Sequence, residues 1–221
     1  MANSSSSNKH NKANNPIANS KITNIAVLAS GKGTNLQSII DKIELGYLNA
    51  KIVIVISDKA DAIAIERAKK HKIVDIFLDP KKATSREEYD KMVVKQLEKY
   101  KADVIVLAGF MRLLSKYFVD KYRNKLVNIH PSLLPSFPGI HGYEDAWEYG
   151  VKVSGCTVHF VDEGCDTGPI ILQKFNPIKD DDTFESFKER GLKIEHEALP
   201  EALKLFCEGR LKVDGRKVKI L

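Results

Sequence analysis

From Ile22 onward the chain repeats one pattern: a short run of β-branched and aliphatic residues, a longer amphipathic stretch, then another short run. Few architectures accommodate that alternation. Strands buried on both faces read as near-continuous apolar runs, and pairing two of them in parallel requires a crossover of about a dozen residues or more, usually a helix. The pattern places strands at 22–29, 52–56, 73–78, 104–108 and 126–129, with helices at 36–43, 62–70, 86–100 and 115–122. In the third helix Tyr89, Met92, Val93, Gln96 and Leu97 recur at helical spacing, and Thr84 with Glu87 offers a capping box. The second half differs. Extended runs at 153–160 and 169–175 precede a long helical stretch at 184–206, with an interruption expected near Gly191 and a bend at Pro200. The segments 210–213 and 218–221, joined through Asp214 and Gly215, read as a closing hairpin. The expected fold is therefore α/β: a single-domain, open, mostly parallel twisted sheet over 21–221 with helices on both faces and a small C-terminal hairpin.

Such sheets bind ligands beyond the carboxyl ends of their strands, so the residues just after each strand carry the functional signal. After the first strand come Ser30, Gly31, Lys32, Gly33, Thr34 and Asn35, with Thr34 and Gln37 placed to cap the next helix. A glycine-bearing loop feeding a helix N-terminus is an anion site in outline, because free N–H groups and the helix dipole converge there. Two familiar phosphate motifs fail here. A dinucleotide fingerprint needs glycine where Leu36 stands, and a P-loop needs it where Ala26 stands. The loop suits a single phosphate, although the same residues also make an ordinary strand-to-helix turn.

After the fifth strand come Asn128, Ile129 and His130, followed by the proline-rich run 131–139. Strand alternation puts Asn128 and His130 on one side. An amide donor and an imidazole facing one cavity suit acyl-type transfer, which needs a donor for a developing oxyanion and a group that moves protons near neutral pH. A histidine at a strand end is also a common structural hydrogen-bonding residue. Three carboxylates crowd the later turn at Asp162, Glu163 and Asp166, ahead of Thr167, Gly168 and Pro169. One of them beside His130 would stabilise the imidazolium and raise its pKa. Asp166 is the best placed, but spacing alone does not select it over Asp162. The Leu134–Pro135 bond is a candidate cis peptide. His141 and His159 read as structural, having no identifiable proton-transfer role.

Bulk properties limit the alternatives. A formal charge of +6 and a pI near 9.0 suit an anionic partner without naming its class. The first 20 residues are rich in Asn, Ser and Lys and read as a disordered tail, without the apolar run of roughly 7 to 15 residues that a secretory signal needs. No stretch approaches the roughly 18 apolar residues of a membrane span. Cys156, Cys165 and Cys207 match neither a disulfide framework nor paired metal-ligand spacing, which fits a reducing cytoplasm.

Taken together, these segments resemble the phosphoribosylglycinamide formyltransferase family, enzymes of purine biosynthesis. The resemblance rests on separated motifs in the family's order: 31–35; Leu107 to Arg112; 128–135 with Pro138, Gly139 and His141; and Asp166 with Gly168 and Pro169. It implies a formyltransferase fold, Rossmann-like in its N-terminal half. It further implies transfer of formyl from 10-formyltetrahydrofolate, as co-substrate, to glycinamide ribonucleotide, without metal, nucleic acid or membrane, by a monomer or homodimer. Carried over by position, Asn128, His130 and Asp166 are catalytic. Gly33, Thr34, Asn35 and Glu195 would hold the ribonucleotide, with Glu195 at its ribose end. Folate would meet Arg86, Met111, Arg112, Leu113, Leu114 and Asn128, with Leu107, Leu126 and Val161 as apolar walls. Two rivals resemble the same fold, methionyl-tRNA formyltransferase and formyltetrahydrofolate deformylase; each carries a further domain that finds no room here. A third is a non-catalytic phosphate or folate sensor, against which the intact Asn128, His130 and Asp166 set argues.

Overall fold

The computed structural model describes residues 21–221; the 1–20 segment expected as a tail lies outside the described residues. One nine-stranded sheet organises the chain in the order β3-β2-β1-β4-β5-β6-β7-β9-β8. The parallel half comprises β1 (Thr23–Leu28), β2 (Ala50–Ser57), β3 (Asp75–Phe77), β4 (Val104–Leu107) and β5 (Leu126–His130). Their crossovers are α1 (Thr34–Glu44), α2 (Ile63–Lys70), α3 (Arg86–Lys99) and α4 (Lys116–Lys121). Beyond β5 the direction changes. After α5 (Gly142–Tyr149), strand β6 (Val153–Phe160) runs antiparallel to β5, and β7 (Ile170–Pro177) runs antiparallel to β6. The long helix α6 (Phe184–Cys207) follows, then the hairpin β8 (Leu211–Asp214) and β9 (Lys217–Ile220).

Strand alternation sorts the core into two layers. Ile25 and Val27 face α1, α2 and α6 through Leu36, Ile39, Ala64, Ile65, Leu199 and Leu203, whereas Ala26 and Leu28 face α3 and α4 through Tyr89, Val93, Leu97 and Phe118. Both faces are thus covered, as the apolar runs require. Each fully buried Leu, Ile or Phe contributes about 1.5–3 kcal/mol relative to exposure.

Several local expectations shift. Helix α3 is capped one residue later than expected. Ser85 Oγ accepts from Glu88 N at 3.1 Å, and the Glu88 carboxylate accepts from Thr84 N and Oγ1. Thr34 does not cap α1; it is the first helical residue, and the Gln37 side chain donates instead to Asp41. Helix α6 runs unbroken through Gly191 and Pro200 behind a capping box of Thr183 and Ser186. The 142–149 segment, unassigned in the sequence pattern, forms α5.

Strand order reverses between β1 and β4, which opens the crevice where open α/β sheets take ligands. The loops leaving these strands are joined there. Ser30 N donates to Gly109 O at 3.0 Å, and Met111 N to Ser30 Oγ at 2.9 Å.

Candidate active site

Asn128 and His130 stand two residues apart at the end of β5 and project to one side of the sheet. The antiparallel register of β6 sets His159 opposite Asn128 and Thr157 opposite His130. The turn after β6 returns the chain to them, and Asp166, in a left-handed conformation with φ 54°, reaches in. Its Oδ2 accepts from Gly139 N at 2.8 Å and lies 3.4 Å from His130 Nδ1; its Oδ1 accepts from Asn128 Nδ2 at 3.4 Å and lies 3.6 Å from His159 Nε2. The two competing carboxylates are occupied elsewhere. Asp162 closes its own turn by accepting from Gly164 N and Thr167 Oγ1, and Glu163 pairs with Arg123 and Lys116 at the surface.

His130 is 2% exposed, and both its ring nitrogens face acceptors. Nε2 lies 2.7 Å from the Phe137 carbonyl, while Nδ1 faces Asp166. A neutral imidazole has one N–H, so only the imidazolium satisfies both partners. Burial acts against that charge and, contrary to the sequence expectation, leaves the His130 pKa below its ordinary value; Asp166 and the Phe137 carbonyl oppose the drop, and His159 adds to it. Burial also pushes Asp166 up, but the His159 ring, the Gly139 N–H and the electrostatic pull of the neighbouring histidines prevail and hold its carboxyl at about 2. Asp166 is therefore a fixed anion, and the charge on His130 is contested between desolvation and two acceptors.

His159 has a place in this cluster that sequence patterning did not give it. It is 1% exposed, its Nδ1 lies 2.8 Å from Phe160 O, and its Nε2 lies 3.2 Å from Asn128 Nδ2. The Asn128 amide is thereby aimed, with its N–H groups toward His159 and Asp166. The signal was the antiparallel register, which local periodicity does not reveal. The proline-rich loop is stapled from β6 and β7: Thr157 Oγ1 donates to Ser132 O and accepts from Leu134 N, and Gln173 Nε2 donates to Leu134 O. The Leu134–Pro135 bond is cis.

At the start of α1, Gly33 occupies the N-cap with φ 66°, and no side chain caps the helix. A Cβ there would lie 2.8 Å from Ala64 Cα, so both conformation and space require glycine. With no cap side chain and no acidic residue in the first turn, the helix start around Thr34 and Asn35 keeps the electrostatic character that suits an anion. Glu195, which sequence alone left indistinguishable from an exposed helix residue, is 5% exposed and meets this loop. Its Oε2 accepts from Asn35 Nδ2 at 2.8 Å and its Oε1 from Tyr143 OH at 2.5 Å. Burial raises its pKa against the pull of both donors.

The 111–114 segment lies between β4 and α4. Met111 and Leu113 are each 61% exposed, an apolar pair left uncovered beside the crevice, while Leu107, Leu126, Leu114 and Val161 pack behind them. The Arg112 guanidinium stacks 4.8 Å from the Tyr89 ring centre. Arg86 opens α3 at the surface and, like Arg112, acts electrostatically on Asp90. His141 is the N-cap residue of α5 without a capping side-chain bond. Among the described residues no group of three or more His, Cys, Asp or Glu side chains is arranged to hold a metal, and no helix is long and apolar enough to cross a membrane.

The sequence profile described as formyl transferase matches residues 23–203. Phosphoribosylglycinamide formyltransferase of Escherichia coli is 43% identical over 190 residues, 86% of this chain and 90% of the relative. The trifunctional purine biosynthetic protein adenosine-3 of Drosophila melanogaster is 47% identical over 187 residues, which span 84% of this chain but 14% of that much longer protein. Among solved structures, glycinamide ribonucleotide transformylase 1 from Symbiobacterium toebii superposes with a TM-score of 0.88 at 46% identity, covering 90% of this chain and 94% of that one.

Proposed function

The chain belongs to the formyl transferase family and, within it, to the phosphoribosylglycinamide formyltransferases, and from this we propose that it transfers formyl from 10-formyltetrahydrofolate to the amine of glycinamide ribonucleotide. The products are formylglycinamide ribonucleotide and tetrahydrofolate, and the setting is purine biosynthesis in the cytoplasm. The observation that carries the proposal is the convergence of Asn128 and His130 from one strand and Asp166 from a distant turn onto one cluster.

The chemistry follows from these groups. The neutral amine attacks the formyl carbon, forming the new C–N bond while charge develops on the carbonyl oxygen. The Asn128 amide and the His130 imidazolium donate to that oxygen, a contribution commonly worth about 10²–10³ in rate for one such donor. Asp166 favours the charged form of His130 against the opposing effect of burial. The bond to the folate nitrogen then breaks as that nitrogen gains the proton given up by the amine; being attached to an aromatic ring, it is weakly basic and departs more readily once protonated. The Phe137 carbonyl holds the Nε2–H at 2.7 Å, and Asn128 Nδ2 faces Asp166 and His159, so the substrate oxygen has to compete for both donors. Gly33, Thr34 and Asn35 offer N–H groups to the ribonucleotide phosphate, and Glu195 faces the ribose end. The uncovered Met111 and Leu113 suit the flat heteroaromatic ring of the folate, with Arg86 and Arg112 supplying positive charge toward its glutamate end.

Incubating the purified protein with formyltetrahydrofolate and glycinamide ribonucleotide tests the proposal. Formyl transfer to the ribonucleotide supports it. Release of free formate instead points to deformylation, and binding without turnover to a sensor; either result rejects the transferase reading.

A further inference from the structure

The Asn35–Glu195 contact extends to a residue outside the proposed machinery. Tyr143, on the first turn of α5, is 5% exposed and donates its hydroxyl to Glu195 Oε1, while Asn35 Nδ2 donates to Oε2. Each carboxylate oxygen is thus held by a separate element, one from α5 and one from the phosphate loop. A carboxylate gripped at both oxygens has one orientation. That orientation also fixes the Asn35 amide, whose N–H side must face the carboxylate, and so turns its Oδ1 the other way. Asn35 is 8% exposed, and Oδ1 is buried without a partner. A buried acceptor lacking a donor costs about 1–3 kcal/mol, which a ligand donor would recover.

The molecule makes room for this tyrosine. Gly191 on α6 lies against its ring: a Cβ there would sit 2.4 Å from Tyr143 Cε1 and 2.5 Å from the hydroxyl oxygen. Phe187, one turn earlier on α6, packs edge-on against the same ring at 5.7 Å. On its other side Tyr143 adjoins Gly142, where a Cβ would lie 3.3 Å from His130 Nε2. One short element therefore touches both His130 and the carboxylate at the phosphate loop.

We propose that Tyr143 is a positioning residue: by fixing Glu195 and, through it, Asn35, it presents a preset carboxylate acceptor and the free Asn35 Oδ1 to the hydroxyl-bearing, ribose end of the phosphorylated substrate. This rests on the proposed function for the identity of that substrate. Tyr143 itself touches no reacting atom. Its contribution should fall on capture of the ribonucleotide rather than on the chemical step or on folate.

Tyr143→Phe removes the hydroxyl and keeps the ring packed between Phe187 and Gly191. The KM for glycinamide ribonucleotide, and its Kd measured by calorimetry without folate, should both rise about tenfold, as expected for a lost hydrogen bond to a charged group. The KM for formyltetrahydrofolate should stay within about twofold, with kcat falling far less than ribonucleotide affinity. Gly191→Ala, which displaces the ring from the opposite helix, should shift the same two constants in the same direction. Unchanged ribonucleotide affinity in Tyr143→Phe overturns the proposal, as does an equal loss in kcat and both KM values, which marks general damage. If the wild-type chain binds the ribonucleotide but transfers no formyl group, the proposed function fails and the Kd comparison still decides the role of Tyr143. A wild-type chain that does not bind the ribonucleotide rejects both.

Discussion

Replacing Asp166 with Asn tests the electrostatic core of the site, because it removes the charge while keeping the size of the side chain, at the cost of one acceptor oxygen. The carboxylate oxygen lies 3.4 Å from His130 Nδ1, and the Asp166 side chain is 13% exposed. At an effective dielectric near 20, opposite charges at that distance attract by about 5 kcal/mol, enough to move a titration by between about three and four pH units. Water reaching the carboxylate reduces this, and an opposite charge at such range usually moves a pKa by about one to three units. Burial already holds His130 below its ordinary value, so losing Asp166 lets the imidazole fall further. A drop of about two units leaves roughly one hundredth as much imidazolium at pH 7, and kcat should fall by about 10², within the range typical of a positioned acid.

The sign of the pH dependence follows from the active protonation states. His130 acts while charged, so activity is lost as pH rises through its pKa, whereas the attacking amine must be neutral and sets the acid limb. Asp166, held at about 2, stays ionised across both limbs and generates neither. In Asp166→Asn the alkaline limb should therefore move to lower pH by the same amount as the His130 titration observed by NMR. A His130 midpoint displaced by less than about half a unit would refute the electrostatic account, even if turnover were lost.

Three further outcomes are expected. Asn128→Ala removes an oxyanion donor and should lower kcat by about 10²–10³ with a smaller change in either KM, read by steady-state kinetics. His159→Leu removes the ring nitrogen 3.2 Å from the Asn128 amide and beside Asp166; kcat should fall about tenfold, while a urea unfolding curve separates this from gross loss of stability. Gly33→Ala forces a Cβ against Ala64 in a left-handed conformation, so stability should drop by more than about 1 kcal/mol in urea and the ribonucleotide KM should rise; an unchanged KM would count against the phosphate-loop assignment.

What could be read from the sequence depended on how local the cause was. The strands of the parallel half announced themselves because burial on both faces leaves no polar alternation, and α1 to α4 because each buries one stripe. Helix α5 escaped notice because it is short, begins at Gly142 and has no capping side-chain bond from His141. With it went Tyr143, whose partner lies 52 residues away on α6. The choice between Asp162 and Asp166 was equally invisible: both sit in one turn, and the difference is that Asp162 turns Oδ1 onto that turn while Asp166 adopts φ 54° and points away from it. Cap positions moved by a residue because adjacent Thr84 and Ser85 are nearly equivalent donors and acceptors on paper. The pKa direction of His130 is illegible in the sequence for a related reason: the pattern offers a favourable carboxylate but does not show a burial deep enough to outweigh it.

The change of strand direction at β5 explains why the site forms where it does. Had β6 continued the parallel pattern, the chain leaving His130 would have returned at the opposite end of the sheet, and the residues following the next strand would have come no closer to Asn128 than a neighbouring strand tip. An antiparallel β6 instead passes beside His130 and runs back along β5 to end beside Val127, and the register Asn128↔His159 and His130↔Thr157 brings side chains of β6 directly beside those of β5. Thr157 then ties down the loop that carries Phe137 and Gly139, and Gly139 in turn donates to Asp166. Orientation of the trio thus depends on cross-strand neighbours that do not themselves touch a reacting atom. It follows that Thr157 and His159 sit under as strong a geometric constraint as Asn128 and His130, and substitutions at these β6 positions should disturb the chemical step before they disturb the fold.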